Sequence, residues 1–334
     1  MKRENVIGRA NVEDTAELEA YYRELERHDA GALWTVANEI EPWYPQPKSV
    51  AVLWKWRTLE PLVRKAPQLV SAEKAARRVV MLVNPGRKEH SAAVGLLYTG
   101  VQVMNPGEFT SAHRHQASAL RFVMEGKGAY TVVEGERMEL GARDFVLTPN
   151  GTWHDHGVDA DGTQCVWQDG LDIPLMNALD ANFYEVHPDV VQKPSAAPLP
   201  REGWSKPYSP VFKYSWDRAY DALKSGKESI MEYTNPLTGG PIMPTIGAQL
   251  QLLLPGEKTR AHRNTGSAIY QVARGRGTSV IGGQRFDWEE KDIFCVPSWT
   301  AYEHAATEES CLFSFNDFPA MRALALFREE DCAG

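Results

Sequence analysis

Residues 105–138, NPGEFTSAHRHQASALRFVMEGKGAYTVVEGERM, recur in altered form at residues 254–286 as LPGEKTRAHRNTGSAIYQVARGRGTSVIGGQRF. Pro106 falls on Pro255, His113 on His262 and Arg121 on Tyr270, each 149 positions on. Further along, Asp144 falls on Asp292 and Pro149 on Pro297 at 148, so one deletion separates the copies. Self-similarity over such a length calls for two like domains. Within each copy, short runs of Val, Leu, Phe, Tyr and Thr (LRFVMEG, GAYTVVEGERM, DFVLTP; SAIYQVARGRG, DIFCVPSW) are punctuated by Gly and Pro. That spacing predicts an all-β barrel or sandwich for each copy.

Outside the repeat the texture differs. DTAELEAYYRELERH at 14–28 predicts a helix capped by Asp14 or Thr15, with Leu18, Tyr21, Tyr22 and Leu25 at helical spacing. EPWYPQPKS at 41–49 is a loop or extended segment, and TLEPLVRKAP at 58–67 predicts a second helix with Pro61 near its start. A Pro-rich polar linker covers roughly 187–210. The expected organisation is an N-terminal helical arm at 1–77, a β domain at 78–186, a linker at 187–217 and a second β domain at 218–334. A chain of 334 residues exceeds one ordinary core, which agrees.

Composition narrows the class. The chain is 43% hydrophobic and 24% charged, as globular proteins are. Its 36 Lys and Arg against 44 Asp and Glu give a net charge of −8, so the basic footprint of a nucleic-acid binder is missing. No apolar run reaches membrane-spanning length. MKRENVIGRANVEDTAELEA lacks the apolar core of a signal peptide, so the expected location is the cytoplasm. Cys165, Cys295, Cys311 and Cys332 form no CxxC pair and are expected to be reduced thiols, mostly buried.

Chemistry concentrates in the first copy. Residues two apart on a strand point to the same face, so His113 and His115 can aim two imidazoles at one point inside a barrel. His154, after DFVLTP and the turn residues Asn150-Gly151, can bring a third from a neighbouring strand. Imidazoles suit Fe, Zn, Cu and Ni, and three protein ligands leave open positions for catalysis. A lone His-x-His pair is most often surface polarity; the third and fourth histidines, His154 and His156, in a β-rich repeat make this a metal centre. The second copy aligns His262, Asn264 and Tyr302 with the triad and His304 with His156, so it is expected to be structural and without a catalytic metal.

GEFTSAHRH at 107–115 and RDFVLTPNGTWHDH at 143–156 resemble the two cupin motifs, G-x5-H-x-H and P-x-G-x2-H. The usual cupin glutamate is replaced by Ala119 or Leu120, which resembles the three-histidine branch of gentisate, salicylate and 1-hydroxy-2-naphthoate 1,2-dioxygenases. Further matches are LWKWRTL at 53–59, LVNPG at 82–86, SALRF at 118–122, DGLDIPL at 169–175, NPLTGGPIMPT at 235–245 and VPSW at 296–299. The likeness runs from about residue 12 to 328, and SALRFVMEGKGAYTVVEGER with WHDHG looks most like gentisate 1,2-dioxygenases.

That resemblance implies a mainly β fold of two cupin barrels with an N-terminal helical arm. It implies an Fe(II) cofactor held by His113, His115 and His154, a small aromatic acid and O2 as reactants, and a homotetramer. Gentisate would be opened to maleylpyruvate between the carboxyl- and hydroxyl-bearing ring carbons. Salicylate, a 5-substituted salicylate or 1-hydroxy-2-naphthoate are the alternatives with the same chemistry. A sugar isomerase, an oxalate-type decarboxylase and a non-enzymatic bicupin are the remoter ones. Arg121 is expected to clamp the substrate carboxylate, since a guanidinium directed into an apolar barrel requires an anion. Its structural alternative is an ion pair with Glu125 or Asp169. Arg78 matches a second pocket arginine of the family. His156 is expected to take a proton from the ring hydroxyl or steady bound oxygen. Tyr98, Gln102 and Asp169 resemble supporting residues, with Asp169 fixing a ligand imidazole or Arg121.

Overall fold

The computed structural model describes residues 12, 15–75, 77–87 and 92–332. Residues 1–46 and 47–334 form separate compact units. The first contains the expected helix, Ala16–Arg27, whose N-cap Thr15 accepts from the Leu18 amide at 3.1 Å. Asp14, the other candidate cap, lies outside the described residues. A second helix, Leu33–Ile40, carries exposed Leu33, Trp34 and Ile40.

The second unit is two β barrels. In the first, a six-stranded sheet runs in the order Lys213–Tyr214, Phe145–Thr148, Ala119–Glu125, Cys165–Leu171, Tyr98–Met104, Val79–Met81. Facing it is a five-stranded sheet, Tyr184–Val186, His113–His115, His154–Val158, Ala129–Val133, Glu136–Leu140. The second barrel repeats this plan. Its six-stranded sheet is Val52–Trp54, Ile293–Val296, Ala268–Arg274, Ser310–Asn316, Gly247–Leu253, Ile230–Glu232. Its five-stranded sheet is Gln284–Glu289, Arg276–Ile281, Tyr302–Ala306, His262–Asn264, Glu329–Asp331. Even the register shift recurs, at Val166/Trp167 in the first barrel and Val272/Arg274 in the second.

The two six-stranded sheets pack on each other. Phe122 stacks on Phe313 with centroids 4.1 Å apart, and Phe145 lies 5.2 Å from Phe313. Strands such as Ala119–Glu125 are therefore buried on both faces, one toward their own barrel and one toward its neighbour. This explains why LRFVM reads as an apolar run with a single charge. Gly170 is required at this junction, because a Cβ there would sit 2.5 Å from the Phe315 ring.

The segments outside the repeats are more structured than their composition predicts. The expected helix at 58–67 spans Trp56–Leu69 and contains both Pro61 and Pro67. The Pro-rich linker is packed. Gln192 donates to the Asp155 carboxylate, while Tyr208, Ser209 and Phe212 are buried. Cys165, Cys295 and Cys311 are free and buried, and Cys332 is partly exposed.

Candidate active site

The three histidines converge. His113 and His154 are directly opposed across antiparallel strands, and His115 follows on the same face as His113. Ring centroids lie 4.3 Å apart for His113–His154 and 4.8 Å for His115–His154. One nitrogen from each ring lies within 4.8 Å of the others. Each Nδ1 is held by a backbone carbonyl: Ser111 at 2.7 Å, Ala117 at 2.7 Å and Thr152 at 2.9 Å. Nδ1 therefore carries the proton and donates, and Nε2 keeps its lone pair. Burial holds His113 and His115 down to about 4 and His154 well below its ordinary value, so all three are neutral at neutral pH. The His113 Nε2 is buried with no protein partner. Three convergent neutral donors around an unsatisfied nitrogen fit a metal ion.

A pocket of about 390 Å³ opens beside the triad. Its far wall comes from the other sheet. Arg121 lies eight residues after His113, yet the two do not share a strand. The chain instead turns at 116–118, and Arg121 approaches the centre from the facing sheet. Nor is its guanidinium unpaired. Nε donates to Asp169 at 3.1 Å from the adjacent strand, and Nη1 donates to Thr131 at 2.6 Å. Glu125, the other candidate partner, pairs with Arg64 and Lys291. Burial weakens both charges of the Arg121–Asp169 pair, lowering one pKa and raising the other, and their attraction offsets this in part.

His156 lies between Arg121 and Gln102. Arg121 Nη2 is 3.3 Å from its Nδ1 and can only donate, so Nδ1 accepts and Nε2 bears the proton. The Gln102 amide nitrogen lies 3.0 Å from Nε2, and with the amide turned over its oxygen accepts that proton. Thr110 also contacts Nδ1, at 3.3 Å. Burial, then the Arg121 cation, hold the imidazole neutral. Tyr98 and Gln102 line the pocket, and burial followed by the Asp169 charge keeps the Tyr98 phenol protonated.

Arg78 is the residue whose expected place is wrong. It points away from the pocket, pairs with Glu108 and donates to the Val70 and Val103 carbonyls. Arg77 takes its place, lining the pocket together with Val79 and Met81. Strand alternation explains the exchange, since odd-numbered residues of this edge strand face inward. Sequence reasoning missed Arg77 and Thr148, which line the pocket, and Thr110 and Thr131, which contact His156 and Arg121 behind it. Thr131 is directly opposed to His156 across the sheet, a pairing that only the fold decides.

Comparison with known proteins agrees with this geometry. Residues 100–174 match the cupin domain family. The chain is 38% identical to gentisate 1,2 dioxygenase 1 of Aquipseudomonas alcaligenes, over 94% of this chain and 96% of that one. It is 35% identical to a 5-aminosalicylate 1,2-dioxygenase of Comamonas sp, over 94% and 90%. A crystal structure of the salicylate 1,2-dioxygenase of Pseudoaminobacter salicylatoxidans with gentisate superposes with a TM-score of 0.91 at 32% identity, covering 100% of this chain and 99% of that one. The three-histidine centre, the two-barrel plan and relatives matched nearly end to end place this chain in the gentisate 1,2-dioxygenase family of bicupin ring-cleaving dioxygenases.

Proposed function

We propose that this dioxygenase binds Fe(II) at His113, His115 and His154 and opens gentisate to maleylpyruvate, with both atoms of O2 entering the product. The observation that carries the reading is the convergence of one ring nitrogen from each of three histidines, within 4.8 Å of one another, in a pocket also lined by Arg121 and Arg77. A ferrous ion there supplies open positions for the substrate's carboxylate and adjacent hydroxyl oxygens and for oxygen. Neutral ligands leave its charge uncancelled, which favours an anionic substrate.

The protein's own groups orient that substrate. Arg121, held by Asp169 and Thr131, presents the remaining N–H groups of its fork to a carboxylate. Arg77, with no carboxylate partner among the described residues, adds positive charge to the pocket. His156 is neutral with its proton on Nε2, and by exchanging Gln102 for the substrate it donates a hydrogen bond that steadies the ring oxygen. Relatives acting on 5-aminosalicylate and 1-hydroxy-2-naphthoate make salicylates and the naphthoate the second reading. We further propose a cytoplasmic homotetramer, supported by exposed Trp34, Trp43 and Tyr44 in the N-terminal unit. The test is metal analysis followed by anaerobic titration with gentisate and salicylate, then oxygen. Gentisate-dependent oxygen uptake with a rise in ultraviolet absorbance is expected. Turnover of salicylate alone would overturn gentisate as substrate.

A further inference from the structure

The second barrel keeps the shape of the first and loses its donors. His262, Asn264 and Tyr302 stand where the triad would be, and an amide with a phenol does not replace two imidazoles. The barrel is nevertheless not filled. A cavity of about 490 Å³, larger than the catalytic pocket, opens among these residues, Tyr270 and His304.

One wall of the cavity ends in an unsatisfied donor. The Trp288 indole donates to Ser279 Oγ at 2.9 Å, and His304 Nδ1 lies 2.7 Å from the same oxygen. The Ser279 hydroxyl has no other acceptor, so it donates to Nδ1 and fixes the His304 proton on Nε2. That Nε2 is buried and has no partner, on a residue only 2% exposed. Beside it, Phe318 and Phe327 supply apolar surface. Arg322 lies over the Phe327 ring at 4.6 Å and has no carboxylate partner among the described residues. The other cations of the cavity are taken, Lys258 by Glu303 at 2.8 Å and Arg260 by Asp331 at 2.7 Å. Of the acids there, Glu257 accepts from the Leu254 amide and Glu232 from Gln249. Neither these two nor Glu329 meets a cation among the described residues, and their charge disfavours a second negative charge on an occupant.

We propose that the second barrel is a metal-independent binding site for a small aromatic monocarboxylate, its carboxylate on Arg322 and an oxygen at its inner end on His304 Nε2–H. The site rests on its own residues and not on which acid the first barrel cleaves.

The probe is 4-hydroxybenzoate, which has oxygen at both ends and no ortho hydroxyl with which to chelate a metal. Calorimetric titration of the full-length protein should show binding with or without metal. Arg322→Ala should weaken it about tenfold or more, the effect of losing a charge-assisted contact. His304→Leu should weaken it too, and 4-hydroxybenzamide should bind at least tenfold less tightly than the acid. Gentisate-dependent oxygen uptake should be unchanged in Arg322→Ala. Because Arg322 is exposed, that variant folds even if His304→Leu does not. Wild-type affinity in Arg322→Ala, equal binding of the amide, or binding lost only in Arg77→Ala would each overturn the proposal.

Discussion

Arg121 is asked to do two things, and a pair of variants separates them. It closes a buried ion pair with Asp169, both side chains being under one-tenth exposed, and it is proposed to hold the substrate carboxylate. Arg121→Met leaves the Asp169 carboxylate buried without its cation. Breaking a buried pair in this way costs about 3–5 kcal/mol. For a chain of this size, that lowers the thermal midpoint by roughly 4–7 °C. The double variant Arg121→Met/Asp169→Leu removes both charges and should recover most of the loss, because an apolar pair of similar volume is often neutral or better. Activity should not recover. Charge-assisted hydrogen bonds are worth about 1.5–3 kcal/mol, so kcat/KM for gentisate should fall roughly 10- to 100-fold in both variants. Thermal unfolding and oxygen uptake on the same preparations measure the two effects. Wild-type kcat/KM in the double variant would refute the substrate role and leave Arg121 a purely structural partner of Asp169.

Three further outcomes are expected. Metal content should be about one ion per chain, lost in His113→Ala together with activity and unchanged in His262→Ala; elemental analysis decides, and a second equivalent held by His262 would contradict the assignment. Asp317 is fully enclosed, and burial raises its carboxyl to about 7. A carboxyl whose folded-state pKa is raised binds its proton more tightly when folded, so its contribution is present at low pH and lost as pH rises from about 4 through 7. The buried neutral histidines act in the opposite direction, so the test is a difference: the midpoint of Asp317→Asn, whose oxygen can still accept from the Ser267 amide, should gain on the wild type's between pH 5 and pH 8, and a constant difference would show that Asp317 does not titrate there. Gly170→Ala should destabilise the barrel junction by about 1–3 kcal/mol, because its Cβ would overlap the Phe315 ring, and Phe315→Leu should relieve part of that cost.

Much of the fold was local information. The repeat, the alternation of strand residues and the Gly and Pro punctuation lie in short windows, and they announced two like β barrels. The triad was legible for the same reason. His113 and His115 share a face by strand periodicity alone, and His154 follows a turn marked by Asn150-Gly151. The supporting residues depended on contacts between distant segments. RRVVM gives no polar alternation from which to read its phase, so only pairing of Val79–Met81 with Tyr98–Met104 decided that Arg77, not Arg78, faces the pocket. Arg121 met Asp169 rather than Glu125 because two strands 48 residues apart in sequence became neighbours. The cavity of the second barrel was likewise invisible, since space left empty is set by how side chains from both sheets meet and no single strand encodes it.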